Sequence, residues 1–256
     1  MITSKHYAML EHGTVHLDVA IGSPLSDDGY MYKTDLVHKF KCNKYSKVIG
    51  YTKRYKVGEE QINVETQHYA ITTNYRVIVE NGWGDYMKYL VVPNKYHERR
   101  TTFKLVTSIG VTRELNRHRV NSIAESSTRY CNYSQDKFGN ELTFITPDWI
   151  DEKELELYGP FKTRIRKDDP SATEIWITSM NMAEKSYLNL VKKGWQPQQA
   201  REVLPLCTAT EIVHTAFDSD WKHFFDLRYF EKTGKVHPNM KDLTTKMYKL
   251  YENCNS

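Results

Sequence analysis

The chain has 256 residues, of which 39% are hydrophobic and 27% are charged, and its net charge is +4. This length buries a substantial core and suits one large domain or two small ones, and the composition is that of an ordinary soluble protein. No stretch approaches the roughly 20 apolar residues that cross a bilayer, which argues against a membrane protein. The mild positive charge suits an anionic ligand without identifying one. We expect a single soluble domain.

The N-terminus and the cysteines narrow the class further. The first ten residues, MITSKHYAML, have neither the apolar core nor the cleavage pattern of a secretory signal, so a cytoplasmic protein is predicted. Cys42, Cys131, Cys207 and Cys254 are far apart, and no cysteine pair or Cys/His cluster has the spacing of a zinc site. We therefore expect reduced thiols, with neither a disulfide framework nor a bound metal.

The first predicted element is a strand at residues 14–20, where Val15, Leu17 and Val19 alternate with polar residues as in a half-buried strand. Residues 31–56 form a basic, tyrosine-rich run without a clear helical period, which we interpret as an inserted surface excursion. Basic residues interleaved with tyrosines also bind nucleic acid, but a solvated face is the commoner explanation. Nucleic acid is therefore the less favoured partner.

Two more strands are predicted in the middle of the chain, at residues 70–82 and 101–110. β-Branched and aromatic residues dominate both runs, and each run ends at a turn-forming glycine. A short helix is predicted between them at residues 84–90. The N-terminal half therefore combines strands with short helical connections.

The clearest helix begins after Pro170, where Ser171 and Glu174 have the spacing of a capping box. An apolar stripe follows at helical spacing, and we predict that it is core. Its members are Trp176, Met180, Ala183, Tyr187 and Val191. Shorter helices are predicted at residues 197–204, 218–230 and 238–253. These elements predict an α+β fold with a mixed sheet and with helices concentrated in the C-terminal half.

Charged and polar residues are unusually dense at residues 111–130. The cationic side chains of this segment are Arg113, Arg117, His118, Arg119 and Arg129. If residues 111–118 form a helix, Val111 and Leu115 share a buried face. Arg117 and Arg119 then point about 200° apart unless the helix ends between them, and we expect them to serve different ligands or different subunits.

A candidate anion site follows directly. Glu125, Ser126, Ser127 and Arg129 lie within five residues and offer hydroxyls, backbone N–H groups and a forked guanidinium to one phosphate. The alternative is a solvated helix end whose arginines pair with acids elsewhere in the protein. From the residues alone, the two interpretations are equally good.

The segment RHRVNSIAESSTRY resembles the signature of the flavin-dependent thymidylate synthases, which specifies six polar residues at fixed spacing. The matching residues are Arg117, His118, Arg119, Ser122, Ser127 and Arg129. Such a match is far more specific than a lone glycine motif. It favours the anion site over the solvated helix end.

Further stretches resemble the same family. HYAMLEH is similar to its upstream element through His6, Glu11 and His12, while QAREVLP and HFFDLR are similar to the segments that supply two substrate arginines, here Arg201 and Arg228. The resemblance implies a single catalytic domain over residues 1–256. It also implies an insertion at about residues 22–98.

The resemblance implies reductive methylation of dUMP to dTMP, with FAD as cofactor and with NADPH and methylenetetrahydrofolate as co-substrates. The residues implied to bind dUMP are Glu114, Arg117, Glu125, Ser126, Ser127, Thr128, Arg129, Arg201 and Arg228. The residues implied to bind FAD are His6, Arg117, His118, Arg119, Glu125 and His223. No cysteine nucleophile is implied, so we expect Arg228, a permanent cation at the uracil, to be the catalytic residue.

The resemblance also implies a homotetramer in which several subunits build each active site. An alternative from another class is a nucleotide- or nucleic-acid-binding homologue that has kept the anion-binding surface and lost the flavin chemistry. The basic, tyrosine-rich run motivates this alternative. Colour separates the two, because a flavoprotein purifies yellow or becomes yellow when FAD is added.

Overall fold

The structure is a computed structural model and describes residues 7–22, 29–57, 62–128, 142–150, 152–158 and 169–254. The strands are β1 (Thr14–Ile21), β2 (Lys47–Val57), β3 (Ile62–Asn74), β4 (Arg100–Ser108), β5 (Ser122–Glu125) and β6 (Ala209–Phe217). The α-helices are α1 (Tyr30–Cys42), α2 (Tyr75–Glu80), α3 (Ile109–Leu115), α4 (Glu152–Tyr158), α5 (Ala172–Lys192), α6 (Pro197–Ala200), α7 (Asp218–Arg228) and α8 (Pro238–Asn253). Short 3-10 helices lie at Tyr7–His12, Gly84–Tyr89 and Arg201–Val203.

The chain divides into two compact units. Unit 1 contains residues 1–103, 119–124 and 214–222, and unit 2 contains residues 104–118, 125–213 and 223–256. The described strands form two three-stranded sheets, with the orders β1-β3-β2 and β4-β6-β5. Strands and helices are both abundant, and most of the long helices follow residue 150, so the prediction of an α+β fold is confirmed. The prediction of a single domain with an insertion stays a prediction.

The sheet of unit 1 is antiparallel, with Leu17 of β1 and Val48 of β2 both opposite Ile71 of β3. The odd-numbered residues of β1 are buried and the even-numbered ones are partly exposed, as expected for a strand with one face on the core. Helix α1 covers this face and buries Phe40, which packs edge to face against Trp83 with ring centroids 4.8 Å apart. This apolar layer is the core of unit 1.

Helix α1 lies in the run that we interpreted as a surface excursion without helical period, and that interpretation is wrong for this segment. Leu36, Val37 and Phe40 recur at helical spacing and are 0%, 4% and 0% exposed. Exposed residues of the same helix, such as Tyr32, His38 and Lys41, lie on its solvent side and make the short apolar stripe hard to detect in the sequence. The segment therefore supplies side chains to the core of unit 1 as well as to its surface.

The predicted strand at residues 70–82 is also partly wrong, because β3 ends at Asn74 and α2 begins at Tyr75. The side chain of Asn74 accepts a hydrogen bond from the backbone N–H of Val77 at 3.0 Å and so caps the helix. Val77 and Ile78 are buried from this short helix. Their β-branched side chains had favoured a strand, and the cap together with the core contacts overrides that local preference.

In unit 2, the capping box of α5 is present as predicted, with Ser171 and Glu174 each bonding to the other's backbone N–H. Of the predicted stripe, Tyr187 is fully buried and the other four members are partly buried. Helix α8 has the predicted bounds, whereas the predicted helix at residues 197–204 is divided into α6 and a 3-10 turn. Within the described ranges, no helix is both long enough and apolar enough to cross a bilayer.

Candidate active site

Helix α3 carries the first candidate residues, and it is shorter than expected. Ser108 caps its N-terminus by accepting a hydrogen bond from the backbone N–H of Val111. Val111 and Leu115 are buried on one face, as predicted. The helix ends at Leu115, so the expectation of a helix over residues 111–118 is wrong at its C-terminal end. Both arginines of the signature's first triplet therefore lie beyond the helix.

A compact polar cluster in unit 2 joins α3 to the end of α7. Arg228 Nη1 donates to Glu114 Oε2 at 2.8 Å, and Arg228 Nε donates to His118 Nε2 at 3.3 Å. The side chains of Arg228 and Glu114 are 18% and 27% exposed, so the ion pair is largely shielded from solvent. Thr244 of α8 holds the backbone by donating to the carbonyl of Arg228 at 2.9 Å. Glu114 and His118 hold the guanidinium, and Thr244 holds the backbone of the same residue.

The guanidinium of Arg228 has more N–H donors than its contacts with the described residues use. Arginine has five N–H groups, and the contacts of Arg228 are one to His118, one to the carboxylate of Glu114 and one at 3.5 Å to the backbone carbonyl of Glu114. Two N–H groups thus have no acceptor among the described residues. A planar fork held in this way can meet two acceptors of a ligand at once.

His118 is a neutral acceptor in this cluster. Burial, and then the positive charges of Arg228, His223 and Arg117, lower the pKa of His118 to about 4. Its ring packs edge to face on Phe224 with centroids 4.8 Å apart. Because Nε2 accepts from Arg228, the single proton of the neutral ring belongs on Nδ1. The imidazole therefore orients the guanidinium without adding charge.

His118→Gln is expected to weaken the dependence of stability on pH. The pKa of His118 lies at about 4 in the folded chain and near 6.5 in the unfolded chain, so between these values the unfolded state binds more protons and stability falls as the pH falls. From pH 7 to pH 5 the loss is about 1 kcal/mol, after a discount of about half for the part of the ring that water reaches. Urea unfolding at both pH values measures it.

The control is His237→Gln, because His237 is exposed. Other histidines with lowered pKa values, such as His12, contribute to both proteins and cancel in the difference. The His237→Gln control should lose as much stability as wild type between pH 7 and pH 5. If His118→Gln also loses as much as wild type, His118 is not held neutral in the folded protein.

A second cluster in unit 2 surrounds the serine loop after β5. Glu125 Oε1 accepts from Thr112 of α3 at 2.9 Å, and the backbone N–H of Ser126 donates to the carbonyl of Glu211 in β6 at 2.8 Å. Arg201 Nη1 donates to the hydroxyl of Thr128 at 3.4 Å. The loop is thereby tied to a helix, a strand and a cation. Its backbone conformation is set before any ligand arrives.

The two arginines that flank His118 are open to solvent. Arg117 and Arg119 are exposed, and neither has an acidic partner within the part of the chain that the structure describes. Free guanidinium groups suit the anionic pyrophosphate of FAD. These residues therefore fit the cofactor that the signature implies.

The structure brings together some of the predicted residues and leaves others undecided. Glu114, His118 and Arg228 form one cluster, with His223 close enough to lower the pKa of His118, and Thr128 contacts Arg201. His6 and Arg129 lie outside the described residues. Sequence reasoning missed Thr112 and Phe224, which position Glu125 and His118. The aromatic pair in HFFDLR was the available signal for Phe224.

The upstream element that resembles the family lies in unit 1. The carboxylate of Glu11 pairs with Arg76, and His12 Nδ1 lies 2.8 Å from the hydroxyl of Thr215. The other ring nitrogen of His12 is buried without a hydrogen-bond partner among the described residues. Burial lowers the pKa of His12, so its ring is neutral at physiological pH.

Cys207 is unsuited to nucleophilic catalysis. Burial raises the pKa of its thiol, and its sulfur lies 3.0 Å from the sulfur of Met180. A thiol that stays protonated in apolar surroundings is inert. Cys207 is therefore not a candidate nucleophile, as expected from the sequence.

Comparison with known proteins gives one family. A family model described as thymidylate synthase complementing protein matches residues 96–254. The chain is 32% identical over 121 residues to the flavin-dependent thymidylate synthase of Pyrococcus abyssi, covering 47% of this chain and 42% of that protein. It is 25% identical over 215 residues to the probable flavin-dependent thymidylate synthase of Paramecium bursaria Chlorella virus 1, covering 80% and 86%. The chain thus spans less than half the length of the Pyrococcus relative.

Among solved structures, Thymidylate Synthase X from Helicobacter pylori with FAD and dUMP is 18% identical, with a TM-score of 0.41 over 59% of this chain and 66% of that chain. This structural likeness is weak, so the assignment depends on the sequence matches. The matched family segment covers more than half of the chain and includes the signature, both polar clusters and the arginines of α7 and of the turn after α6. The chain belongs to the thymidylate synthase complementing protein family, that of the flavin-dependent thymidylate synthases.

Proposed function

We propose that the chain is a flavin-dependent thymidylate synthase, which methylates dUMP to dTMP with FAD, NADPH and methylenetetrahydrofolate. The observation that carries this proposal is the cluster of Arg228, Glu114 and His118. Two segments more than 100 residues apart each resemble the family, and His118 of one lies within hydrogen-bonding distance of Arg228 of the other, which also pairs with Glu114. If each segment resembled the family only by chance, their side chains would have no reason to be adjacent in the structure.

The serine loop and its cations are proposed to hold the phosphate of dUMP. Ser126, Ser127 and Thr128 carry hydroxyl groups on this loop, and Arg201 already contacts it. Arg129 completes the proposed phosphate-binding set, while Glu125 and Arg117 are proposed to contact dUMP. Charge-assisted hydrogen bonds from such a set are about twice as strong as neutral ones.

Arg228 and Glu114 are proposed to hold the uracil ring. As C5 of the ring becomes nucleophilic, negative charge develops on the ring oxygens, and the two N–H groups that Arg228 keeps in reserve can stabilise it there. Glu114 and His118 fix the guanidinium beforehand, so little reorganisation is needed during the reaction. A cation that keeps its proton at every physiological pH suits this task.

His6, Arg117, His118, Arg119, Glu125 and His223 are proposed to hold FAD. When bound, FAD accepts a hydride from the nicotinamide and supplies the reducing equivalents that turn the one-carbon unit into a methyl group. The protein contributes orientation and electrostatics: the exposed guanidinium groups of Arg117 and Arg119 provide positive charge for the pyrophosphate.

We further propose a homotetramer with shared active sites. Support comes from the short segment after α3. Arg117 and Arg119 lie outside any helix there, and they belong to different units of the chain, which agrees with roles in different sites. Residues 22–98 are proposed to be an insertion, which agrees with a family match that begins at residue 96. A cytoplasmic location remains a prediction.

The test uses the purified chain of 256 residues. Addition of FAD is expected to give a yellow protein that forms dTMP from dUMP, methylenetetrahydrofolate and NADPH, and sedimentation velocity is expected to give a tetramer. A colourless protein that binds dUMP but forms no dTMP would instead support the homologue without flavin chemistry. A yellow, active monomer would overturn the shared-site proposal alone.

A further inference from the structure

A cleft in unit 1 is lined by residues that are all outside the sets proposed for dUMP and FAD. It has a volume of about 580 Å³, within the range of roughly 300–1,000 Å³ typical of small-molecule sites. Its lining residues are Tyr51, Thr52, Lys53, Arg54, Asn94, Lys95 and Tyr96. The walls therefore come from β2 and from the turn that precedes β4, and they combine rings with cations.

The aromatic wall is a fixed stack. Tyr51 and Tyr96 are parallel, with ring centroids 4.0 Å apart and planes 12° apart. Behind them, the ring of His68 lies 5.2 Å from that of Tyr51. A planar base can stack on such an arrangement with little loss of entropy, because the protein rings are already ordered before it binds.

A buried network holds the stack in place. The hydroxyl of Tyr51 donates to Asp18 Oδ2 at 2.5 Å and accepts from Asn94 at 3.3 Å. Burial, followed by the bond to Asp18, raises the pKa of Tyr51 to about 12, so the hydroxyl keeps its proton. His68 Nδ1 donates to the other oxygen of Asp18 at 2.9 Å. The carboxylate of Asp18 thus orients the rings of Tyr51 and His68.

The cations at the cleft supply charge for an anion. Lys53 and Lys95 are exposed, and their ammonium groups lie over the rings of Tyr55 and Tyr96, at 5.0 and 5.1 Å from the centroids. Neither lysine has an acidic partner among the described residues. Arg54 is engaged with Glu65 at 2.6 Å. Two lysines are therefore available to phosphate beside an aromatic platform.

We propose that this cleft binds a free nucleoside diphosphate, whose base takes the place of the Lys95 ammonium over the ring of Tyr96 and whose phosphates are held by Lys53 and the displaced Lys95. The basic, tyrosine-rich segment 31–56 then has a role in binding, because it supplies Tyr51 of the stack and Lys53, one of the two cations. The cleft holds one nucleotide by volume, which favours a free nucleotide over a strand. This inference does not depend on the proposed function, since the two sets of residues do not overlap.

Calorimetric titration of the 256-residue chain with ADP tests the proposal, with FAD and dUMP added at saturation so that the proposed active site is filled. Saturable binding is expected, and both adenosine and inorganic pyrophosphate are expected to bind at least about tenfold more weakly than ADP, because each lacks one of the two contacts. Equal binding of pyrophosphate and ADP would reduce the cleft to an anion patch and overturn the proposal.

Variants assign the binding to the cleft. Tyr96→Ala is expected to weaken ADP binding about tenfold, whereas Tyr96→Phe keeps the ring and should match wild type. Lys53→Glu combined with Lys95→Glu is expected to weaken it roughly tenfold or more. The charge-matched control combines Lys185→Glu with Lys249→Glu, at two exposed helical positions of unit 2.

Wild-type ADP affinity in Tyr96→Ala, or in the variant that combines Lys53→Glu with Lys95→Glu, would overturn the proposal, as would the absence of saturable ADP binding at millimolar concentration. Titration with oligodeoxyadenylate of increasing length distinguishes a strand from a free nucleotide. Affinity that rises steeply with length would contradict a site for one nucleotide. Yellow colour and dTMP formation are measured on the same variants, so failure of the cleft proposal and failure of the proposed function are separate results.

Discussion

Arg228→Lys is expected to lower the single-turnover rate of dTMP formation by about 10²–10³, which is the usual cost of removing one preorganised donor from a developing anion. FAD binding and its reduction by the nicotinamide should stay close to wild type, because flavin reduction needs no contact with the uracil. The two half-reactions should therefore separate in one variant.

The geometry around Arg228 explains why lysine is a poor replacement. A lysine ammonium is a single point of charge, so it cannot pair with Glu114, meet the nitrogen of His118 and reach two acceptors of the ring together. The guanidinium holds the first two contacts at 2.8 and 3.3 Å and keeps two N–H groups in reserve.

Stopped-flow reduction of the bound flavin, followed by single-turnover formation of dTMP, measures both steps in one preparation. The matched control is Arg113→Lys, an exposed position on α3, and it should leave both rates unchanged. Formation of dTMP at the wild-type rate by Arg228→Lys would make Arg228 a structural residue. Loss of flavin binding would assign the end of α7 to the cofactor instead.

Phe40→Ala is expected to lower the free energy of unfolding by about 3–5 kcal/mol, the cost of a large cavity in a packed core. Phe40 is 0% exposed and contacts the rings of Trp83 and Tyr86, with centroids at 4.8 and 6.0 Å. Its removal takes from each of these rings an edge-to-face contact with α1.

Urea unfolding, followed by circular dichroism and by tryptophan fluorescence, measures the change. Met31→Ala is the control, because Met31 is 77% exposed on the same helix, and its effect should stay within about 0.5 kcal/mol. If Phe40→Ala does not fold, Phe40→Leu keeps most of the volume and should lose about 1 kcal/mol. A loss below about 1 kcal/mol for Phe40→Ala would mean that residues 31–56 are the surface excursion suggested by their composition.

The candidate site illustrates what a linear pattern can and cannot deliver. The signature placed Arg117, His118 and Arg119 side by side in sequence, yet only His118 turns into the cluster with Arg228, while both arginines are exposed. A motif specifies which residue types occur together in the sequence, but not the directions in which their side chains point. The direction of these side chains depends on where α3 ends, which is at the fully buried Leu115.

The sequence by itself determined the family, the α+β class, the start of α5 and the bounds of α8. These follow from residues within a few positions of one another, such as the capping box of Ser171 and Glu174, whose energies are local. Only the tertiary structure decided that β3 ends at Asn74 and that Glu114 pairs with Arg228. The physical reason is the same for both: packing against distant parts of the chain selects among conformations that the local sequence leaves nearly equal in free energy.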